Sequence, residues 1–227
     1  IISAASIIPS MSFFNPIIFL LTIASAMTIQ IITNYINDLF DFLNGADKNR
    51  LGPKRMLQSG LLSEIEIRSA VKVLFILGVL LGLPLVIYGG WPILAIGLSA
   101  FLFAYLYTAG PIPLAYNGLG DLFVFIYFGI IAVMGSYYLQ TGFIDQNSAW
   151  LGISIGAKNV ILLSINNIRD FNEDKKNNKK TLIVYLGQNF GKMQIFLLFI
   201  LSYIALFNLS IRLEKQFIFY LILIGLP

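Results

Sequence analysis

Two clusters of acidic and amide side chains are the residues of this sequence that are best suited to chemistry. Their members are Asn34, Asn37, Asp38 and Asp41 in the first cluster, and Asn166, Asn167, Asp170 and Asp174 in the second. Each cluster places an Asn four residues before an Asp, and residues three or four apart share one face of a helix. Carboxylates gathered in this way repel one another unless a cation lies between them. Carboxylate oxygens are ligands that Mg²⁺ accepts, usually together with substrate phosphates.

A loop rich in lysine and arginine lies beside each acidic cluster, and the two loops with their flanks hold 12 of the 15 basic residues. Cations next to a metal site can neutralise phosphate oxygens that the metal does not reach. The two clusters therefore predict paired Mg²⁺-binding faces that hold a diphosphate between them. The candidate phosphate-binding cations are Arg50, Lys54, Arg55, Lys179 and Lys180. The simpler interpretation, that these residues only cap helix ends at the water interface, is less favoured because the pattern occurs twice, each time beside a basic loop.

The composition predicts that the elements carrying these clusters are membrane helices. Of the 227 residues, 58% are apolar and 11% are charged, and the mean hydropathy is +0.83. Soluble domains are about 45–50% apolar and about 25% charged. The sequence contains no cysteine and no histidine, which excludes disulfides, cysteine nucleophiles and histidine acid–base catalysis.

Apolar runs of the length that a bilayer requires predict the spans. We expect them at about 12–42, 66–88, 91–107, 119–139, 149–169 and 190–211. Uninterrupted runs without two-residue alternation favour helices over a barrel, so the fold class is an all-α polytopic membrane bundle. Four spans separate the two basic loops, which places both loops on one side of the membrane, and the positive-inside rule assigns that side to the cytoplasm.

The chain begins with Ile1 and ends inside an apolar run at 217–227. We therefore expect residues 1–227 to be a single transmembrane domain that is truncated at both ends. A multi-pass protein of the cell inner or plasma membrane would have lipid as its neighbour, and we expect no nucleic-acid partner.

The paired aspartate motifs resemble those of the UbiA-type intramembrane aromatic prenyltransferases, and the resemblance runs from about residue 28 to residue 187. Other stretches resemble, more narrowly, the 1,4-dihydroxy-2-naphthoate polyprenyltransferases of menaquinone synthesis. They are Leu51–Gly60 (LGPKRMLQSG), Tyr116–Asp121 (YNGLGD), Gly135–Gln140 (GSYYLQ), and Ile165–Asp170 (INNIRD) with the later Lys180-Thr181-Leu182. One departure is that the superfamily spacing puts a third acid at position 45, where this chain has Gly45 and the acid falls at Asp47.

The resemblance implies a nine-helix fold and a Mg²⁺-dependent transfer of a polyprenyl group from its diphosphate to an aromatic acid. For the naphthoate enzymes the products are demethylmenaquinone, CO₂ and diphosphate. The implied metal ligands are Asp38, Asp41, Asp47, Asp170 and Asp174, of which all but Asp47 are also the implied catalytic residues. The implied substrate-binding residues are the Asn residues of both clusters, the basic residues given above, Tyr107, Tyr116 and Asp121.

Several readings of these residues stay open. Asp121 can belong to the site or to the first turn of a helix, where an acid is favourable. Tyr107 and Tyr116 can orient substrate or be ordinary interfacial tyrosines. Lys158 lies mid-span and has no assigned role.

Three alternative functions also remain. A UbiA-type enzyme could use 4-hydroxybenzoate, homogentisate or haem as its acceptor. A CDP-alcohol phosphotransferase is disfavoured because its Asp-Gly-x-x-Ala-Arg pattern is absent. An ion-coupled transporter would usually carry its acids at the bilayer midplane.

Overall fold

The structure is a computed structural model that describes residues 14–46 and 53–213, and these ranges are mostly helical. The helices are α1 (Pro16–Leu43), α2 (Glu64–Gly89), α3 (Trp91–Leu106), α4 (Gly120–Phe125), α5 (Ala132–Thr141), α6 (Gln146–Arg169), α7 (Phe171–Lys176), α8 (Leu182–Leu186) and α9 (Gln188–Arg212). A 3₁₀ turn precedes α4, and a π-helical segment at Ile126–Ile131 joins α4 to α5. No strand occurs within the described ranges, and the all-α prediction is confirmed.

Within the described residues, five helical stretches are long and apolar enough to cross a membrane, namely α1, α2, the continuous run Gly120–Thr141, α6 and α9. They match the expected spans to within a few residues, which confirms a polytopic helical bundle. The sixth expected span, at about 91–107, is the shorter helix α3 of 16 residues. At 1.5 Å per residue α3 is about 24 Å long, less than the hydrocarbon core of about 30 Å. The chain turns soon after α3, where Gly110 has a φ of +85° and Pro111 follows.

The end of α1 packs against α2 and the loop between them. Ile32 and Ile36 form one buried cluster with Ala109, and Leu39 forms another with Leu57 and Ile67. The apolar face of α1 therefore points towards α2 and the loops at that end, which fixes the rotation of the helix. The first acidic cluster follows this rotation because it lies on the same helix.

α6, whose C-terminal end carries the second acidic cluster, is fixed between α9 and the π-helical segment. A Cβ on Gly156 would lie 2.6 Å from the Phe125 carbonyl oxygen, and one on Gly129 would overlap Gly156, so only glycine allows this approach. Asn159 Nδ2 donates to the Phe128 carbonyl oxygen at 2.9 Å in the same region. On its other side, Ser154 shares a hydrogen bond with Ser202 of α9 at 2.9 Å.

Candidate active site

The first acidic cluster is buried although it carries two carboxylates. Asp38 is 4% exposed and Asp41 is 1% exposed. The residues just before α2 pack over this end of α1, since Leu57 contacts Leu39 in a buried cluster. Two buried carboxylates less than one helical turn apart require compensation, and the structure supplies it differently for each.

Asp41 is satisfied by donors from three separate segments of the chain. Tyr116 Oη donates to Oδ1 at 2.7 Å, and the Arg55 guanidinium donates to Oδ2 at 2.8 Å. Lys179 Nζ lies 3.4 Å from the same Oδ2 and 5.4 Å from the centre of the Tyr116 ring. Asp41 is therefore neutralised by two protein cations, and both of its oxygens have a donor.

Among the described residues, a single hydrogen-bond donor reaches Asp38. Its Oδ2 accepts a hydrogen bond from the Met56 backbone N–H at 2.9 Å. Its Oδ1 is buried and has no hydrogen-bond partner within the described part of the chain. An unpaired buried carboxylate oxygen is energetically costly, so Asp38 is the acid of this cluster that would gain most from binding a cation.

The two basic loops meet at the same end of the bundle, as the four intervening crossings predict. The Lys179–Asp41 contact joins the second loop to α1. Asn177 Nδ2 also donates to the Ala46 carbonyl oxygen at 3.3 Å, and the backbones of Lys180 and Asn117 form a single bridge. The site is thus assembled from the end of α1, the loop that follows it, the turn before α4 and the loop between α7 and α8.

The second acidic cluster lies at the junction of α6 and α7. Both oxygens of Asp170 accept from the Arg169 guanidinium at 2.7 Å, and Asp174 is 8% exposed. Asn166 is exposed and Asn167 is half-buried. No three acidic side chains within the described residues lie close enough together to hold a metal ion unaided.

The candidate metal ligands at this end are carboxylate and amide oxygens, which suit a hard ion such as Mg²⁺. The unpartnered Asp38 Oδ1 fits a metal ligand, whereas Asp41 is bound to protein cations. The metal-binding roles expected for Asp38, Asp41, Asp170 and Asp174 stay predictions. Asp47 and Arg50 lie outside the described residues.

Asp121 is buried near Tyr107 and contacts α9. Asp121 lies in the first turn of α4 but not at its N-cap position. That position is Leu119, and no side chain forms a capping hydrogen bond there. The Gln194 side chain of α9 lies beside Asp121, whose Oδ1 has no hydrogen-bond partner in the described ranges. The Tyr107 hydroxyl approaches the start of α4 so closely that a Cβ on Gly120 would lie 3.2 Å from it. The Gly-Leu-Gly-Asp stretch therefore brings α4, α9 and the end of α3 together.

The other polar residues noted in the sequence lie at several levels of the bundle. Lys54 and Lys180 are exposed at the same end of the bundle, and Lys158 is exposed in the middle of α6. Gln140 lies at the opposite end, where its Oε1 accepts from the Asn15 backbone N–H at 2.8 Å.

Several contacts in the site could not be expected from the spacing of acids and amides. These are the Met56 backbone donor to Asp38, the Arg169 partner of Asp170, and a 2.7 Å hydrogen bond from Thr108 Oγ1 to Asn37 Oδ1. Arg169 could have been predicted as a partner of Asp170 because it directly precedes that residue in the sequence. Gln30, four residues before Asn34, also extends the amide spacing of the first cluster.

The helical bundle of the described residues, with apolar helices long enough to cross a membrane, defines the class as a polytopic membrane protein. The UbiA prenyltransferase family model matches residues 1–227, and the chain belongs to this family. Members of the family are generally dependent on a divalent metal.

Curated relatives carry a more specific name. The chain is 38% identical to the 1,4-dihydroxy-2-naphthoate octaprenyltransferase of Escherichia coli over 184 residues, which are 77% of this chain and 59% of that protein. It is 30% identical to the Haemophilus influenzae protein of the same name, over 94% of this chain and 72% of the relative. It is 32% identical to the Bacillus subtilis protein of that name, over 86% of this chain and 63% of the relative. The chain thus spans 59% to 72% of the lengths of these relatives.

Proposed function

We propose that this protein transfers a polyprenyl group from polyprenyl diphosphate to 1,4-dihydroxy-2-naphthoate, releasing diphosphate and CO₂ and forming the hydroquinone of a demethylmenaquinone. The observation that carries the proposal is that a buried, partly unsatisfied Asp38 lies about one helical turn from Asp41, which holds the cations Arg55 and Lys179, at one end of an apolar bundle. The names of the bacterial relatives support the naphthoate as the acceptor.

Each group at this end of the bundle has a role in binding the diphosphate. Asp38 would hold Mg²⁺, together with Asp170 and Asp174 from the second cluster and with Asp47. Bound there, Mg²⁺ supplies Lewis-acid neutralisation of the leaving diphosphate. Arg55 and Lys179, already placed beside Asp41, contribute positive charge next to the phosphates, and the exposed Lys54 and Lys180 can reach the outer oxygens.

The reaction requires no strong base, because the reacting ring carbon carries a carboxylate and has no proton to lose. The allylic C–O bond breaks and its electron pair leaves with the diphosphate. The electron-rich ring carbon that carries the carboxylate then bonds to the allylic carbon. The bond to the carboxylate breaks next, and its electron pair restores the aromatic ring as CO₂ departs. This sequence agrees with a chain that contains no histidine.

An allylic cation needs apolar, electron-rich surroundings and the exclusion of water. Aromatic faces stabilise cations at short range. Phe103, Phe123 and Tyr127 form a compact aromatic group with ring centres 4.3–5.5 Å apart. Phe103 lies one turn before Tyr107, and Phe123 lies two residues after Asp121, so the group is close below the polar end of the bundle.

The proposed site faces the cytoplasm, because both basic loops lie at the end of the bundle that carries the acids and positive loops are retained on that side. A water-soluble diphosphate headgroup would then approach from the cytoplasm while the prenyl tail remains among the helices and lipid. An ion-coupled transporter fits less well, since its acids would be expected near the bilayer midplane.

The test is an assay on membranes that contain the protein, with 1,4-dihydroxy-2-naphthoate, a polyprenyl diphosphate and Mg²⁺. We expect metal-dependent formation of the prenylated hydroquinone, detected as demethylmenaquinone after oxidation of the extract in air, and we expect EDTA, Asp38→Ala or Asp170→Ala to abolish it. Turnover of 4-hydroxybenzoate or homogentisate in place of the naphthoate would overturn the acceptor assignment. A complete lack of turnover with aromatic acceptors would overturn the proposed function and favour the transporter.

A further inference from the structure

A polar stripe on α1 continues into the membrane beyond the acidic cluster. Gln30 lies two turns below Asp38, which is about 12 Å along the helix axis. It has 13 residues between itself and Pro16 and 12 between itself and Leu43, so each end of α1 is about 20 Å away. A glutamine side chain cannot reach the interface from this depth.

Gln30 shares the face that carries the candidate site residues. At about 100° per residue, Gln30, Asn34 and Asp41 point within roughly 40° of one another, and Asn37 lies just to one side. The opposite face of α1 is apolar and buried, with Ile32, Ile36 and Leu39 packed on neighbouring elements. Gln30 therefore faces the same space as the amides of the first cluster.

The hydrogen bonding of Gln30 leaves one acceptor available. Its Nε2 donates to Asn34 Oδ1 at 3.3 Å, and both side chains are exposed. This is the only side-chain hydrogen bond of Gln30 within the described residues, so its Oε1 has no donor there. An amide oxygen at mid-membrane depth is costly unless it is hydrogen-bonded, and the bonded Nε2 leaves Oε1 free to accept from a group that lies against this face of α1.

The geometry of prenyl transfer indicates what that group is, and this step rests on the proposed function. The diphosphate is bonded directly to the allylic carbon, and the attacking ring carbon must come within about 3–3.5 Å of that carbon. The aromatic acceptor therefore lies just on the membrane side of the phosphates. A two-ring acid extends from there over one to two helical turns of about 5.4 Å each, which is the depth of Asn34 and Gln30.

We propose that Gln30, oriented by Asn34, recognises the hydroxylated aromatic acceptor by accepting a hydrogen bond from a ring hydroxyl at its Oε1. The acceptor is identified by its chemistry, as a planar aromatic acid with a hydroxyl directed away from the diphosphate. Gln30 thereby sets acceptor affinity and leaves diphosphate binding to the acids and cations at the end of α1.

The test compares Gln30→Leu, which keeps the size of the side chain and removes its polar atoms, with Ile31→Ala, a control at the neighbouring exposed position about 100° around the helix. We expect Gln30→Leu to raise KM for the dihydroxynaphthoate acceptor by about three- to tenfold, the effect of one hydrogen bond. In the same variant, KM for the polyprenyl diphosphate should change by less than about twofold. Ile31→Ala should leave both constants unchanged.

A binding experiment identifies the hydroxyl without relying on turnover. Binding of 1,4-dihydroxy-2-naphthoate, 1-hydroxy-2-naphthoate and 4-hydroxy-2-naphthoate is measured on membranes that contain the original protein or Gln30→Leu. Each monohydroxy acid lacks one hydroxyl, so the affinities give a double-mutant cycle between that hydroxyl and Gln30. We expect the loss of one particular hydroxyl to weaken binding to the original protein and to leave binding to Gln30→Leu unchanged. Additive losses for both hydroxyls, or an unchanged naphthoate affinity in Gln30→Leu, would overturn the inference. A protein that binds the naphthoate through Gln30 but does not prenylate it would retain this inference and refute the proposed function.

Discussion

Asp41→Asn and Asp38→Asn remove the same charge from the same helix, yet the structure predicts different consequences for stability. Asparagine at position 41 keeps an oxygen that can accept from Tyr116 Oη, but it no longer neutralises Arg55 and Lys179. The side chains of these two cations are only 19% and 17% exposed. At position 38 the amide oxygen can still accept from the Met56 N–H, and no cation among the described residues loses a partner there.

The magnitudes follow from these contacts. Removing one partner of a buried ion pair costs about 3–5 kcal/mol, and the partial exposure of both cations places Asp41→Asn near the lower end, at about 3 kcal/mol. Asp38→Asn retains its hydrogen bond with Met56, so we expect a change of about 1 kcal/mol or less in the free energy of unfolding. The difference of about 2 kcal/mol is large compared with the stability of most domains.

The assay is unfolding in mixed micelles by titration with a denaturing detergent, measured alongside diphosphate release in membranes. We expect both variants to lose activity but only Asp41→Asn to unfold early, and Asp41→Asn combined with Arg55→Met to be less destabilised than the sum of the two single changes. Glu64→Gln is the control, because its ion pair with Arg68 is about half exposed and should contribute little. Equal destabilisation by Asp38→Asn and Asp41→Asn would refute the assignment of different partners to the two acids.

Further outcomes follow from other contacts. Chelation by EDTA should abolish product formation and added Mg²⁺ should restore it, as measured by quinone extraction; activity that survives chelation would contradict a metal held by Asp38. Tyr116→Phe removes the donor to Asp41 Oδ1 and should lower the free energy of unfolding by about 1–3 kcal/mol in the same micelle titration. Gly156→Val should prevent accumulation of folded protein because its side chain would overlap the Phe125 carbonyl, whereas Gly97→Ala, at an open helical position, should be neutral or slightly stabilising. Size-exclusion profiles of the two glycine variants distinguish these outcomes, and similar profiles would contradict the close packing of α6.

Hydropathy predicted the helices well and their first residues less well, for reasons that lie in the caps. The second span was expected from 66, but α2 begins at Glu64. Ser63 and Glu66 form a reciprocal capping box there, with Glu66 Oε2 accepting from the Ser63 N–H at 2.7 Å. Because the first turn and its cap are polar, a search for apolar runs places the start of this helix too late. In α1 the Asn15 side chain caps Ile17 and Ile18, so the helix begins later than the predicted residue 12.

The spacing of acids and amides indicated which residues share a helix face, but it carried no information on which donors meet each acid. Lys179 lies 138 positions after Asp41 in the sequence and Tyr116 lies 75 positions after it. Such contacts depend on how α1, the turn before α4 and the loop after α7 converge, and local periodicity does not specify that convergence. The sequence also does not indicate that the Met56 backbone donates to Asp38, because every residue except proline has the same N–H group.

The difference between Asp38 and Asp41 has an electrostatic consequence for the proposed reaction. The two acids Asp38 and Asp41 and the two cations Arg55 and Lys179 together carry no net formal charge. The end of α1 therefore does not by itself repel an incoming diphosphate. Asp41 holds the two cations in place before any substrate arrives, which lowers the ordering cost when phosphate oxygens come to share them. Asp38 keeps an oxygen without a protein donor among the described residues and is the acid from which a divalent ion can gain most. Two carboxylates three residues apart can therefore serve one leaving group by different routes, Asp41 through the cations that it positions and Asp38 through the metal that it would bind.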